Sequence, residues 1–282
     1  MKSIQDKAAT LVEALPYLQR FSGEILVVKY GGHAMTNVES AQSFARDLVL
    51  LQSIGLKVIV VHGGGPQIQE MLTQLNIESR FFKGYRVTDA QTMRVVRMVL
   101  TGEVNQGIVS RINRHKGQSI GLSGSDAGLL KGRKVTVDGE DVGHVGVIES
   151  VNTDHLNYLL DGNLIPVIAP VAMAEDGSPL NVNADLAAGS IASQMGARKL
   201  LLMTDVDGVR DGNGDVISTL PRDRVESLID DEVLTGGMLP KLKCACDALA
   251  QGVRKVHIVD GRVKHAILLE LFTNQGIGTE VV

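Results

Sequence analysis

Two lysines and three glycine-rich turns carry the chemistry that can be read first. Lys29 closes the apolar run Ile25-Leu26-Val27-Val28 and stands just before the doublet Gly31-Gly32. A second run, Val58-Ile59-Val60-Val61, leads through His62 into Gly63-Gly64-Gly65-Pro66. Near the other end, Thr235-Gly236-Gly237-Met238-Leu239-Pro240-Lys241 is a further glycine loop that opens a helix and carries a lysine. Glycines at the carboxyl ends of buried strands let backbone N–H groups approach an anion with no Cβ in the way. Lys29 would then project across the strand mouth toward the same anion; the plainer expectation is a strand-end lysine reaching solvent. These turns are neither of two familiar phosphate motifs. Gly63-x-Gly65 is followed by Ile68 where a dinucleotide fingerprint has its third glycine. No stretch has Lys and Ser or Thr after the last glycine, as a Walker loop does.

Two acidic segments add candidates. In Asn181-Val182-Asn183-Ala184-Asp185 the residues Asn181 and Asp185 straddle the start of an alanine-rich helix running to about Met195. A carboxylate is favoured there by the helix dipole, and Asn183 reads as the cap. The stretch from Asp205 to Asp215 invites a calcium loop, but counting from Asp211 puts Val216 at position six and Arg222 at position twelve. The ion needs Gly and Glu there. This loop reads instead as a crevice for a nucleotide base and ribose, or as a surface hairpin.

The elements that position these residues follow from periodicity. Short β-branched runs followed by glycines and amphipathic helices imply right-handed βαβ units around strands buried on both faces. A helix is expected from Ser40 to Gln52 and another from about Gln67, with further buried strands at Ile165–Ala169, Leu200–Thr204 and Val256–Val259. The interval Arg133–Val151 alternates Val with Gly and Asp, which predicts hairpins. Before the first strand, Ile4, Ala8, Leu11, Val12, Leu15 and Leu18 line one helical face, and Pro16 predicts a kink or early stop. The expected fold is a three-layer αβα sandwich with a mainly parallel central sheet shared by two lobes.

Composition narrows the function classes. The chain has 282 residues, 44% hydrophobic and 3% aromatic, with a net charge of -4 and no basic tract. Nucleic-acid binding is therefore not expected. Cys244 and Cys246 can build neither a disulfide framework nor a zinc site. No apolar stretch approaches the roughly 20 residues of a membrane span, and Asp6 and Glu13 interrupt any signal-peptide pattern. A cytoplasmic enzyme is expected, with no bound metal of its own.

Taken together, these segments resemble the amino acid kinase superfamily, and within it the arginine-sensitive acetylglutamate kinases. The resemblance is carried by Lys29-Tyr30-Gly31-Gly32, Val61-His62-Gly63-Gly64-Gly65-Pro66, Gly84-Tyr85-Arg86-Val87-Thr88-Asp89, Asn181–Asp185, Thr204-Asp205-Val206-Asp207-Gly208-Val209 and Gly236-Gly237-Met238-x-x-Lys241. It runs from about Leu11 to the C-terminus. Ser125, Leu186 and Ser190 stand where that family often has Lys, Thr and Glu.

The resemblance implies ATP-dependent phosphorylation of the side-chain carboxylate of N-acetyl-L-glutamate, with Mg2+ bridging phosphate oxygens. Lys29 and Lys241 would flank the transferring phosphoryl group, and Asp185 would hold both ammonium groups. Gly31, Gly32, Gly64 and Gly65 would receive phosphoryl and substrate oxygens. Arg86 would pair with the substrate α-carboxylate and Asn181 with its backbone or acetamide. Thr204, Asp205, Gly208, Val209, Thr235 and Met238 would line the nucleotide site. Residues 1–22 would form an oligomerisation and regulatory helix, 23–196 the acetylglutamate lobe and 197–282 the ATP lobe. The signatures His257–Arg262 and Ala266–Gly278 imply an L-arginine site built from Tyr17, Lys199, His257, Glu270 and Gly276, a homohexamer made as a trimer of dimers, and room for a nitrogen-signalling partner protein. Rival expectations are a sister kinase with another acceptor, a sensing module without turnover, and an NAD-dependent dehydrogenase.

Overall fold

The computed structural model describes residues 4–35, 37–230, 238–273 and 276–282. In chain order the strands begin with β1 (Ile25–Tyr30), β2 (Lys57–His62), β3 (Phe81–Phe82), β4 (Tyr85–Arg86), β5 (Ser119–Ser123), β6 (Leu130–Val137) and β7 (Glu140–Val151). They continue with β8 (Ile165–Ala169), β9 (Val171–Met173), β10 (Pro179–Val182), β11 (Lys199–Thr204), β12 (Thr219–Leu220), β13 (Lys255–Asp260) and β14 (Thr279–Val281). Eight of them form one sheet in the order β12-β14-β13-β11-β1-β2-β8-β5. The run from β13 to β5 is parallel, and β14 joins β13 antiparallel. β1 lies between β2 and β11, so strands from both halves of the chain share one unbroken sheet.

The helices are α1 (Ile4–Phe21), α2 (Val38–Ser53), α3 (Gly65–Gln74), α4 (Ala90–Arg97), α5 (Asn105–Arg114), α6 (Thr153–Asp161), α7 (Ala184–Gln194), α8 (Arg222–Asp230), α9 (Met238–Ala250) and α10 (Ala266–Phe272). They cover the sheet in two layers, each with its own apolar core. On one face Val27, Ile59, Val61, Leu200, Leu202, Val256 and Ile258 pack against α6, α7, α8 and α9. On the other Leu26, Val28, Val58, Val60, Leu201, Met203 and Val259 pack against α2, α3, α4, α5 and α10. Successive strand residues point to opposite faces. Lys29 therefore shares the α7 side with Val27, while His62, Lys199 and His257 share the opposite side with Val60, Leu201 and Val259. That parity decides which functional group reaches which cavity.

Several local expectations are revised. Pro16 does not stop α1, which continues to Phe21; Phe21 is buried and stacks edge-on to Phe272 of α10, so the last turn is held by packing. α3 begins at Gly65 rather than near Gln67, because Pro66 is preorganised for a first helical turn. β6 and β7 form the expected hairpin, but they close with β9 and β10 into a small barrel beside the main sheet. α4 runs into α5 through a seven-residue π-helical turn, Met98–Val104. No helix among the described residues is long and apolar enough to cross a membrane.

Candidate active site

β1, β2 and β11 end together, and their parallel register sets Lys29 between Val61 and Leu202. Lys29 does not reach for solvent. Its Nζ lies 3.1 Å from Asp185 Oδ1, and Lys241 Nζ lies 2.8 Å from Asp185 Oδ2. Asp185 stands in the first turn of α7, whose cap is Asn183, with the Asn183 side chain accepting from the N–H of Asp185 at 2.8 Å and of Leu186 at 3.3 Å. Lys241 comes from α9, which packs on α7 and is tied to it by the Cys244 thiol donating to the Asp185 carbonyl at 3.0 Å. Burial pushes the Asp185 carboxyl upward, but Lys29 and Lys241 outweigh it and hold it below the usual carboxylate range. Two cations sharing one carboxylate leave a net positive charge at the mouth of the sheet.

The two glycine turns flank this cluster. Gly31 passes so close beneath Lys29 that a Cβ there would lie 2.9 Å from its Nζ and 3.9 Å from the Gly63 nitrogen. Gly32 has φ +71 and abuts the Asp205 carboxylate, so both conformation and space require glycine. Gly64 is also confined: a Cβ would lie 2.5 Å from Leu100 Cδ2 of the π turn.

Next to the turns is a cavity of about 450 Å3 lined by Gly63, Gly64, Gly65, Arg86, Asn181 and Asn183, among others. The amino ends of α3 and α7 both open into it, which favours an anionic occupant. Arg86 is held on three sides. It donates to Gln69 Oε1 at 2.8 Å, to Gly65 O at 3.2 Å and to Ser79 Oγ, and it lies 4.5 Å from the Phe81 ring centroid. None of these partners is a carboxylate, so the guanidinium charge remains available to an anion. Asn181 Nδ2 donates to Thr88 Oγ1 at 3.0 Å, and that hydroxyl donates to the Arg86 carbonyl at 2.7 Å, linking the two substrate candidates through one buried threonine.

On the β11 side, Thr204 ends its strand and Asp205 meets Gly32. Gly208 and Val209 sit against β14: the Val209 N–H donates to Thr279 Oγ1 at 2.8 Å, its carbonyl accepts from Ile217 at 2.8 Å, and its side chain is buried. Val209 thus ties the loop to β14. Met238 opens α9 at half-burial. Thr235, with Gly236 and Gly237, lies outside the described residues. Among the described residues no three His, Cys, Asp or Glu side chains are grouped as a metal site would require.

On the opposite face a polar cavity of about 560 Å3 is lined by Tyr17, Lys199, His257, Glu270 and Gly276, with Glu280 at its rim. Five separate stretches of chain meet here. His257 Nδ1 lies 2.5 Å from Glu270 Oε1, and the Ile277 N–H donates to Oε2 at 2.8 Å. Burial raises the Glu270 carboxyl, but these hydrogen bonds prevail and keep it ionised. Burial pushes the Lys199 ammonium down to about 8 against the pull of Glu280 and Glu270.

The profile of the amino acid kinase family matches residues 24–260. The chain belongs to the amino acid kinase family. It is 52% identical to the acetylglutamate kinase of Geobacter sulfurreducens, covering 100% of this chain and 99% of that one. It is 54% identical to the acetylglutamate kinase of Syntrophobacter fumaroxidans, covering 98% and 96%. Among solved structures it is similar to N-acetylglutamate synthase from Neisseria gonorrhoeae complexed with coenzyme A and N-acetyl-glutamate, with TM-score 0.89 and 26% identity. This chain spans only 64% of that synthase. The same synthase complexed with coenzyme A and L-arginine superposes with TM-score 0.85 at 25% identity, and 66% of it is covered. Within its family the chain is a kinase.

Sequence reasoning about this kinase passed over Gln69, Ser79, Thr88, His62 and Asn105. Gln69 and Ser79 lie on α3 and the segment after it, and no local pattern marks them as partners of Arg86. His62 was visible inside the glycine motif, but its role depends on Asn105, which only the fold brings near. Burial pushes the His62 imidazole down to about 4, against about 6.5 for a free histidine. Between those values the unfolded chain takes up a proton that the folded protein refuses. Stability present above pH 6.5 is therefore lost as pH falls toward 4, by about 3 kcal/mol from this group. Denaturant midpoints from pH 7 to pH 4.5 should fall less steeply in His62→Asn than in the wild type.

Proposed function

We propose that this kinase transfers the γ-phosphoryl group of ATP to the side-chain carboxylate of N-acetyl-L-glutamate, giving N-acetyl-L-glutamyl 5-phosphate for arginine biosynthesis. The observation that carries the reading is the Lys29–Asp185–Lys241 cluster, set at two glycine turns beside a cavity whose far wall is Arg86. A carboxylate oxygen attacks the γ-phosphorus, the bond to the β-phosphate oxygen breaks, and ADP leaves. The nucleophile is already ionised at neutral pH, so no general base is needed. The obstacle is the approach of two anions, which costs about 1 kcal/mol per charge pair at ~4 Å in water and ~4 kcal/mol at an effective dielectric of 20. Positioning and charge neutralisation are therefore the whole of the catalytic task. Lys29 and Lys241 supply the neutralising charge, and the Gly31, Gly32, Gly64 and Gly65 amides take phosphoryl and substrate oxygens. Mg2+ would arrive on the nucleotide phosphates; the Asp205 carboxylate, beside Gly32, would accept hydrogen bonds from its coordinated waters. Thr204, Asp205, Gly208 and Met238 line the nucleotide site in this reading.

Arg86 binds the substrate α-carboxylate in this reading. Arg86→Ala should raise the KM for acetylglutamate roughly 10- to 100-fold, the worth of a charge-assisted hydrogen bond, with kcat within a few-fold. Initial rates over a range of acceptor concentrations check this. The activity itself is tested by incubating purified enzyme with Mg-ATP and acetylglutamate and trapping the acyl phosphate with hydroxylamine. Phosphoryl transfer to glutamate, aspartate, carbamate or UMP, with none to acetylglutamate, would overturn the assignment.

Regulation belongs to the same proposal. The opposite-face cavity takes L-arginine, with Glu270 meeting its cationic groups, and the kinase is feedback-inhibited. This reading is supported by the convergence of Tyr17, Lys199, His257, Glu270 and Gly276 and by the family likeness to a synthase complexed with L-arginine. α1 carries the exposed apolar residues Val12 and Leu15 and serves a neighbouring subunit in a hexamer of three dimers. A cytoplasmic location, and a surface open to a nitrogen-signalling protein, fit an enzyme of this pathway.

A further inference from the structure

We propose that His62 and Asn105 act together as positioning residues that aim the Gly64 amide at the transferring phosphoryl group. The inference rests on the phosphoryl-transfer reading above. His62 is the last residue of β2, fully buried on the side of the sheet away from Lys29. Its Nδ1 lies 2.8 Å from the Gly63 carbonyl oxygen, and its Nε2 lies 3.1 Å from Asn105 Nδ2. The same Asn105 nitrogen lies 2.8 Å from the Val167 carbonyl of β8. A carbonyl can only accept, so that atom must be the amide nitrogen, and it donates both ways. His62 Nε2 is then an acceptor without a proton, and Nδ1 carries the hydrogen that it donates to Gly63 O. The neutral Nδ1–H tautomer follows from geometry alone.

The consequence falls on the next residue. Gly63 C=O and Gly64 N–H belong to one planar trans peptide, so they point in opposite directions. Holding the oxygen toward His62 turns the Gly64 N–H toward the α7 side, where Lys29 and Asp185 lie. The other side of Gly63 is also anchored, since its own N–H donates to the Tyr30 carbonyl at 2.8 Å. Leu100 and Val104 of the π turn back Gly64, and Asn105 is the first residue after that turn. π turns often mark functional positions, and here the wide turn presents all three supports at once. Gly121 of β5 leaves room for the Asn105 carboxamide, which any side chain there would displace. Among the described residues the Gly64 N–H makes no internal hydrogen bond, and Gly64 lines the substrate cavity. A donor held in place before charge develops is worth most when that charge appears in the transition state.

The test compares two substitutions that differ in which ring nitrogen they mimic. Asn at position 62 places its NH2 near the Nδ1 position, while Gln reaches toward Nε2 and leaves Gly63 O without its donor. His62→Gln should lose about 100-fold in kcat with KM for both substrates within about threefold, whereas His62→Asn should stay within about tenfold of the wild type. Equal kcat losses in the two variants, or a loss expressed mainly in KM, would overturn the proposal. Nitrogen-15 NMR of histidine-labelled wild-type enzyme provides a readout that no variant's folding can obscure. The His62 ring should show the Nδ1–H tautomer, and an Nε2–H signal would refute the pairing. If the wild type phosphorylates a different acceptor, the function proposed above fails, and the same comparison run with that acceptor still decides this one.

Discussion

Alanine at Lys29 or at Lys241 lowers kcat by roughly 10²- to 10³-fold while the KM for each substrate stays within a few-fold, because each ammonium acts on charge that peaks in the transition state. Single-turnover rates with saturating Mg-ATP and acetylglutamate measure this directly. Full kcat in Lys29→Ala would remove the central charge argument. The two lysines differ from Asp185 in what their loss does to the fold. Removing either lysine leaves Asp185 paired with the other, at 3.1 or 2.8 Å. Removing the carboxylate leaves two ammonium groups near one another with no counter-charge, and Lys29 is buried. Asp185→Ala should thus lose activity and also about 3 kcal/mol of stability, the scale of an unpaired buried charge. Its depressed carboxyl pKa gives the pH direction: stability contributed above the ordinary Asp range is lost as pH falls through the folded-state value.

If the proposed arginine site and hexamer hold, removing residues 1–22 should abolish inhibition by millimolar L-arginine and leave dimers. The helix supplies Tyr17 to the opposite-face cavity, and Tyr17 meets Phe272 of α10 edge-on at 6.3 Å. An effector between α1 and α10 can bias the enzyme only through unequal affinity for its open and closed states. The deletion also strips away Phe21, which is buried and lies 5.5 Å from Lys199 Nζ, so some thermal stability should go with it. A milder variant separates assembly from packing. Val12→Glu with Leu15→Glu alters two exposed apolar residues of α1 and touches no core contact. Light scattering should show dimers for this variant with catalysis intact. A full-length dimer whose activity is unchanged in arginine would refute both halves of the reading.

The βαβ alternation was legible in the sequence because the first two buried strands are short apolar runs rich in Val and Ile that lead into glycine turns. Ile165–Ala169 needed no adjustment, the strand at Ile25 gained Lys29 and Tyr30 at its end, and the strand at Val58 gained Lys57 and His62 at its two ends. Cap chemistry was legible for the same local reason: Asn183 has the side chain a helix start requires, and it accepts from the two N–H groups that need it. The small barrel of β6, β7, β9 and β10 was half-read, since β9 and β10 are only three and four residues long and carry too few residues to show a period. The π turn was not read at all, because one extra residue per turn leaves no mark on composition.

Chemistry was legible as residue types: lysines beside glycines and an aspartate at a helix start. The sequence by itself determined that lysines and glycine turns would stand at strand ends, and which segments would supply them. Only the tertiary structure decided that Lys29 and Lys241 converge on one carboxylate, that His62 leans on Asn105, and that Lys199 and His257 turn away from the catalytic face toward Glu270. The reason lies in the strands. One buried on a single face alternates apolar with polar residues and announces which way each points; β1, β2, β11 and β13 carry buried apolar residues on both faces, so their pattern is silent about direction. Parity along such a strand is set only when the helices pack, and that packing puts the phosphoryl-transfer groups on one side of the sheet and the opposite-face cavity on the other.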